Sequence, residues 1–234
     1  RGTSSRLWIQ GHGVLVSDRQ RILRRALGNG WEILNLCLRA MIGRAEIIGG
    51  TKIGIDEYMA DWRKLFCGQH APHKFSKLNA NIVDLRRVLR TEDSLLDVGC
   101  NTGEMYRVLG HQNYTGIDFD LHYIETARGA FPNVPFHCQD LFDLSGLWDV
   151  VLCSRVLIHV APFNEAMKRL IAAANRYLVI FAPVASEDCC EKIRFEKDIL
   201  YFRRFSEHAF RAYGQCEIIK HHPYSTIIYI AEPK

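Results

Sequence analysis

From Ser94 to Ala182 short apolar runs alternate with stretches of helical periodicity, and this alternation limits the fold more than any other feature of the chain. Strands are expected at 94–98, 114–118, 134–138, 147–153 and 176–182, with helices at 103–109, 121–130 and 162–174. The runs "SLLDV" and "WDVVLC" are apolar over consecutive positions, so both of their faces need cover. Strands alternating with helices meet that need as βαβ units, which build a parallel sheet with helices on both sides. Beyond Ala182 the texture changes. Residues 205–213 read as a helix, and 216–221 and 225–231 as two strands close enough to pair antiparallel. The expected fold is therefore α/β, a doubly wound, mostly parallel seven-stranded sheet ending in an antiparallel hairpin, with an N-terminal helical extension.

That extension is expected over residues 1–75, as a cap over the substrate, with the α/β domain over 76–234. Arg19–Leu27 and Trp31–Ile42 carry apolar residues at helical spacing, interrupted by "GNG" at 28–30. "IIGGTKIG", 47–54, reads as a hinge or loop. A helical segment follows with Tyr58, Trp62, Leu65 and Phe66 on one face, where Tyr58, Trp62 and Phe66 either roof the site or pack helix against sheet, and another over 78–89 with Ile82, Leu85, Val88 and Leu89. The segment 182–205, "APVASEDCCEKIRFEKDILYFRRF", reads as a solvated helix face carrying Arg194, Lys197, Arg203 and Arg204, the alternative being that these cations meet an anionic substrate.

The chain has 234 residues, 48% of them hydrophobic, enough for one sizeable core. The formal net charge of +4 gathers at one end. Residues 1–50 hold Arg1, Arg6, Arg19, Arg21, Arg24, Arg25, Arg39 and Arg44 against Asp18, Glu32 and Glu46, and the remainder is close to neutral. None of the eight cysteines forms a C-x-x-C pair. With Cys100, Cys138 and Cys153 in expected core strands or turns, they read as reduced thiols of a cytoplasmic protein, and no metal site is expected. No apolar run is long enough to span a membrane, and no signal peptide is expected. His70, His73, His221 and His222 read as solvated loop histidines.

The stretch "SLLDVGCNTGEM", 94–105, places a glycine turn between a buried strand and a helix. In open α/β sheets ligands bind beyond the carboxyl ends of the strands, where Gly99 and Gly103 permit sharp turning and close approach. A dinucleotide site wants G-x-G-x-x-G, with a pyrophosphate on the helix end. Here the spacing is G-x-x-x-G, and Asp97 precedes it; a carboxylate there suits a ligand bearing an ammonium or sulfonium group. Asp118 ends the next strand in "YTGIDFD", placed for ribose hydroxyls, or alternatively to cap the helix at 121–130. Asp140 in "FHCQDLFDL" follows a third strand, where it or the nearby Asp143 suits an adenine amino group.

"LLDVGCNTGE", "YTGIDFD", "HCQDLF" and "WDVVLCSRVLIHV", in this order and spacing, resemble the motifs of class I S-adenosylmethionine-dependent methyltransferases over about residues 75–234. The resemblance implies that Asp97, Gly99, Asn101 and Gly103 surround the methionine part of S-adenosylmethionine, and that S-adenosylhomocysteine is the product. It implies further that Asp118 holds the ribose with Phe119 beside the adenine, and that Asp140 and the Leu141 backbone read the adenine edge. Asn101 stands where a glycine is commonest.

Methyl transfer from a sulfonium is an in-line displacement, which needs alignment and exclusion of water, plus a proton acceptor when the nucleophile arrives protonated. In "CSRVLIHVAPF" Ser154 and Arg155 begin the loop expected over the methyl, and His159 suits the acceptor role, the alternative being a histidine packed at a helix end. "CSRV" is not the N/D-P-P-Y motif of nucleic-acid amino methylation. The expected function is methyl transfer to oxygen or nitrogen of a small molecule, sugar or lipid-linked substrate. The alternatives are an RNA methyltransferase using the Arg-rich N-terminal segment, and a non-catalytic partner subunit that touches protein or a membrane surface through residues 1–50.

Overall fold

A computed structural model describes residues 45–49, 80–160, 162–195, 198–222 and 224–231. The strands in chain order are β1 (Ala45–Gly49), β2 (Leu95–Val98), β3 (Tyr114–Asp118), β4 (Phe136–Cys138), β5 (Trp148–Ser154) and β6 (Ala174–Ala182). β7 (Val184–Ala185), β8 (Cys189–Phe195), β9 (Asp198–Ser206), β10 (Cys216–Ile219) and β11 (Ser225–Ile230) complete them. The helices are α1 (Ala80–Val88), α2 (Glu104–Leu109), α3 (Leu121–Ala130), α4 (Phe163–Ala173) and α5 (Glu207–Arg211).

Seven strands form one sheet in the order β10-β11-β6-β5-β2-β3-β4. β2, β3, β4, β5 and β6 pair in parallel, and β11 runs antiparallel to both of its neighbours. The expected sheet, with its antiparallel finish, is present. Val150–Cys153 of β5 are fully buried, as a central strand covered on both faces requires.

Two apolar layers cover the sheet. On one face Ile82 and Leu85 of α1, Met105 and Val108 of α2, and Ile124 and Ala127 of α3 pack on Leu95, Tyr114, Val150 and Leu152. On the other, Ala166, Met167, Leu170 and Ala173 of α4 and Phe210 of α5 pack on Leu96, Val98, Val151 and Cys153. The four α4 residues recur at helical spacing, and burying a side chain the size of Met167 or Leu170 contributes about 1.5–3 kcal/mol. Residues two apart in a strand share a face, so Leu95 and Asp97 look toward one layer and Leu96 and Val98 toward the other.

Three expectations are corrected. Residues 182–205 are not a helix: β8 and β9 pair antiparallel, β1 pairs with β8, and β7 pairs with β9, giving a second, four-stranded sheet in the order β1-β8-β9-β7. Isoleucine and the aromatics of "KIRF" and "ILYFRRF" favour strands, and this preference outweighs a helical reading of their charges. Residues 45–49 belong to that sheet, so the start of the supposed hinge is a strand. The remaining N-terminal helices, Tyr58, Trp62 and Phe66, and the arginines of residues 1–44 lie outside the described residues. His221 is not a solvated loop residue; its Nε2 lies 2.6 Å from Asp84 Oδ2.

Cys100, Cys153 and Cys216 are buried, and the described cysteines are free thiols. Cys138, on the edge strand β4, is exposed, and its Sγ donates to the Phe119 carbonyl at 3.5 Å. Among the described residues no helix is long and apolar enough to cross a membrane.

Candidate active site

The order of the sheet reverses at β2: the chain moves outward through β3 and β4 on one side, and through β5 and β6 on the other. Such a switch point opens a crevice at the carboxyl ends of the strands. A cleft lies there, walled by the ends of β2, β3 and β5, the loops that leave them, the segment after β4 and Tyr123 of α3.

The turn after β2 is shaped by left-handed backbone at Gly99 (φ 75°), Asn101 (φ 50°) and Gly103 (φ 82°). Gly99 and Cys100 both donate to the Ile117 carbonyl, at 2.8 and 2.9 Å, so the turn is bolted to β3. A Cβ on Gly99 would collide with Val156 of the loop after β5, so only glycine lets the two loops approach. Asn101 is the non-glycine residue type that best tolerates its conformation.

Asp118 ends β3 and is buried. Its carboxylate accepts from the Asn101 N–H at 3.1 Å and the Asp120 N–H at 3.0 Å. Burial pushes its carboxyl up to about 6, against the pull of those backbone donors. The N-cap of α3 is Asp120, which accepts from the His122 N–H at 2.9 Å. Asp118 is thereby left in the cleft wall. Asp140 accepts from the Phe142 N–H at 3.0 Å and caps the 3₁₀ turn Leu141–Asp143. It too lines the cleft, whereas Asp143 is exposed and outside the wall.

The loop after β5 supplies the opposite side. Ser154, Arg155, Val156, His159 and Val160 line the cleft. The His159 N–H donates to the Val156 carbonyl at 2.9 Å, which folds the loop back on itself. The Arg203 N–H of β9 donates to the Ile158 carbonyl at 3.3 Å and joins the second sheet to this loop. Ser154 Oγ is buried with no hydrogen-bond partner among the described residues.

Of the residues expected at a site, Gly99, Asn101, Asp118, Phe119, Asp140, Leu141, Ser154 and His159 meet in this one wall. Asp97 and Gly103 do not reach it. Gly103 is the N-cap of α2, and its Cβ position faces Phe131 and Phe136. Asp97 points to the opposite face of β2 from Val98, where the Tyr114 hydroxyl donates to it at 2.6 Å. Its carboxyl is pushed up to about 7, first by burial and further by the Asp118 charge, against the Tyr114 hydrogen bond.

Tyr123, Gln139, Phe142, Val156 and Val160 also line the cleft and were not anticipated as site residues. Gln139 and Phe142 flank Asp140 and Leu141, so their proximity was available from the motif. Tyr123 carries no such signal, because Tyr123, Ile124 and Ala127 read as an ordinary buried helix stripe.

A family model described as a methyltransferase domain matches residues 68–224. Solved structures with the same fold include 1,6-didemethyltoxoflavin-N1-methyltransferase of Burkholderia thailandensis, 14% identical, covering 82% of this chain and 97% of that one with a TM-score of 0.57. CalS10, an amino pentose methyltransferase of Micromonospora echinaspora, is 14% identical over 79% of this chain and 99% of that one, TM-score 0.53. A SAM-dependent methyltransferase of Methanosarcina mazei is 15% identical over 64% and 98%, TM-score 0.54. None of the curated proteins matches the sequence. The match over most of the chain, on a sheet of this order, makes the protein a member of the methyltransferase-domain family, a class I S-adenosylmethionine-dependent methyltransferase with a Rossmann-like fold.

Proposed function

We propose that the protein transfers a methyl group from S-adenosylmethionine to an oxygen or nitrogen of a small molecule, sugar or lipid-linked acceptor bound in the cleft at the switch point. The observation that carries this reading is the placing of two carboxylates from successive strand ends, Asp118 and Asp140, in one wall with the unpartnered hydroxyl of Ser154. Those groups fit the cofactor: Asp118 for the ribose hydroxyls, Asp140 with the Leu141 backbone for the adenine edge, and Phe119 beside the ring. Gly99 and Asn101 flank the methionine part. Gly103 shapes the turn, and Asp97 acts from behind it through its charge.

When bound, the cofactor supplies an electrophilic methyl group. The residues of this chain align the acceptor and exclude water, and His159 takes the proton of an incoming hydroxyl or amine. We assign residues 76–234 to catalysis and residues 1–75 to covering the acceptor. The pairing of β1 with β8, in the sheet whose Arg203 backbone holds the His159 loop, supports that division. The names of two similar structures, acting on 1,6-didemethyltoxoflavin and on an amino pentose, support a small acceptor.

Calorimetric titration with S-adenosylmethionine, S-adenosylhomocysteine and NAD tests the assignment of the cleft. Binding of the first two and not of NAD is expected. A folded protein that ignores both sulfur ligands would sink it.

A further inference from the structure

Arg155 follows the last residue of β5 with φ 63°, and among the described residues it shares positive φ with one other non-glycine residue, Asn101. Asparagine tolerates the left-handed region through its short polar side chain; arginine enters it only under constraint. Strained residues persist where their surroundings over-determine them. Two constraints act on Arg155. Its N–H donates to the Phe181 carbonyl of β6 at 2.9 Å, and its Cζ lies 4.4 Å from the ring centroid of Tyr224.

Tyr224 is a firm anchor. It is buried and immediately precedes β11, so the contact crosses the end of β6, which lies between β5 and β11 in the sheet. The Asn81 amide of α1 donates to the Tyr224 carbonyl at 2.9 Å and to Thr226 Oγ1 at 2.8 Å, straddling Ser225, which pairs with Ala182 of β6. Asn81 and Thr226 are buried too, so the tyrosine is tied into the core. A guanidinium over an aromatic face is attracted by the ring quadrupole, more strongly where water is excluded. The Arg155 side chain is therefore engaged with the core, and its backbone is held with it.

The consequence falls on the loop that Arg155 opens. Ser154, Val156, His159 and Val160 line the cleft, and Val156 lies against Gly99. The far part of the loop has its own ties, from the His159 N–H to the Val156 carbonyl and from the Arg203 N–H to the Ile158 carbonyl. At the near end, a change of Arg155 to an ordinary negative φ would redirect the chain, and the stack on Tyr224 opposes that change.

We infer that Tyr224 is a positioning residue: by holding the Arg155 guanidinium it fixes the left-handed turn after β5 and so aims the His159 ring into the cleft. The use of that aim in methyl transfer rests on the reading proposed above; the clamp itself does not.

The test follows the His159 ring by NMR in the full chain with isotope-labelled histidine, its signal identified by its loss in His159→Ala. Wild type is expected to give one sharp signal that shifts when S-adenosylhomocysteine is added. Tyr224→Leu keeps apolar bulk and removes the aromatic face, and Arg155→Gly removes the guanidinium while accepting the left-handed backbone. Each should shift or broaden the His159 signal in the free protein. The two together should do no more than the larger single change, because they break one contact. Tyr224→Phe keeps the ring face and should give the wild-type signal. Arg155→Gly should unfold close to the wild-type temperature, since a relieved backbone offsets the lost stack, which separates loss of aim from general loosening. Should Tyr224→Leu not fold, Arg155→Gly decides the question.

A wild-type His159 signal in Arg155→Gly, or a Tyr224→Phe signal as disturbed as that of Tyr224→Leu, overturns the inference. So does a folded Tyr224→Leu that loses S-adenosylhomocysteine binding altogether, because the tyrosine would then support the whole cleft rather than aim one loop. Failure of wild type to bind S-adenosylhomocysteine would remove the reading of the cleft, while the His159 signals of the free proteins would still decide the clamp.

Discussion

The Tyr114 hydroxyl donates to the Asp97 carboxylate across 2.6 Å between neighbouring parallel strands, within the apolar layer that α1, α2 and α3 build on the sheet. Both residues are buried, so the acid that precedes the glycine turn is a core residue whose charge is stabilised by one phenol and opposed by the Asp118 carboxylate.

Removing that phenol should matter most when the acid is ionised. The Asp97 carboxyl rises from 3.8 to about 7 on folding, so the native state binds the extra proton across that interval, and this contribution to stability is lost as pH rises through it. Tyr114→Phe takes away the one interaction that lowers the value, which moves it higher still. The variant should lose about 1–3 kcal/mol at pH 8 and clearly less at pH 5, where the carboxyl is protonated in both proteins. Denaturant unfolding at the two pH values measures this; equal losses would show that the hydroxyl acts through packing alone.

Cofactor affinity should depend on pH through Asp118. Ribose hydroxyls donate to a carboxylate, so binding favours the ionised form, and burial has raised this carboxyl to about 6. Affinity for S-adenosylhomocysteine should hold above pH 7 and fall below pH 6, approaching about tenfold per pH unit for a single titrating group. Asp118→Asn should bind more weakly and show a flatter profile. A wild-type profile that is level from pH 8 to 5 would remove Asp118 from the ribose.

Most of this architecture was legible in the sequence because the sheet strands from β2 to β6 are short, apolar and separated by helices of ordinary length. The three acid-bearing strand ends could be placed by counting, since a strand end and the following turn are set by local chemistry. What counting could not supply was the partner of Asp97: the Tyr114 hydroxyl reaches it from the neighbouring strand and holds it in the core. The second sheet was missed for a different reason. β8 and β1 are separated by more than a hundred residues, and a long-range pairing leaves no periodic trace beside charges such as Arg194 and Arg203 that suggest a solvated helix. Arg155 was visible as a loop residue, but its left-handed backbone and its stacking on Tyr224 exist only in three dimensions.

Gly99→Ala should test the contact between the two loops that frame the cleft. The substitution forces a Cβ into φ 75° and against Val156. The left-handed backbone costs about 1–2 kcal/mol and the overpacking about 1–3 kcal/mol. Adding Val156→Ala should relieve the second contribution and not the first, so the double variant should recover part of the stability in denaturant unfolding. Full recovery would mean that the backbone conformation carries no strain; no recovery would mean that the Val156 contact is irrelevant.

His159 is the remaining group whose role can be isolated from binding. It lines the cleft in a loop held at both ends, by its own N–H to Val156 and by the Arg203 N–H to Ile158, so truncating the ring should leave the loop in place. If the ring takes a proton from the acceptor, His159→Ala should lower the single-turnover rate of methyl transfer by about 10²–10⁴. S-adenosylhomocysteine affinity should stay within about twofold, because the acids that hold the nucleoside are untouched. The acidic limb of the rate–pH profile should vanish with the ring, which a packing role would not produce. Full turnover in the variant would mean that the acceptor arrives already deprotonated, and alignment by the cleft would then account for the whole of the rate.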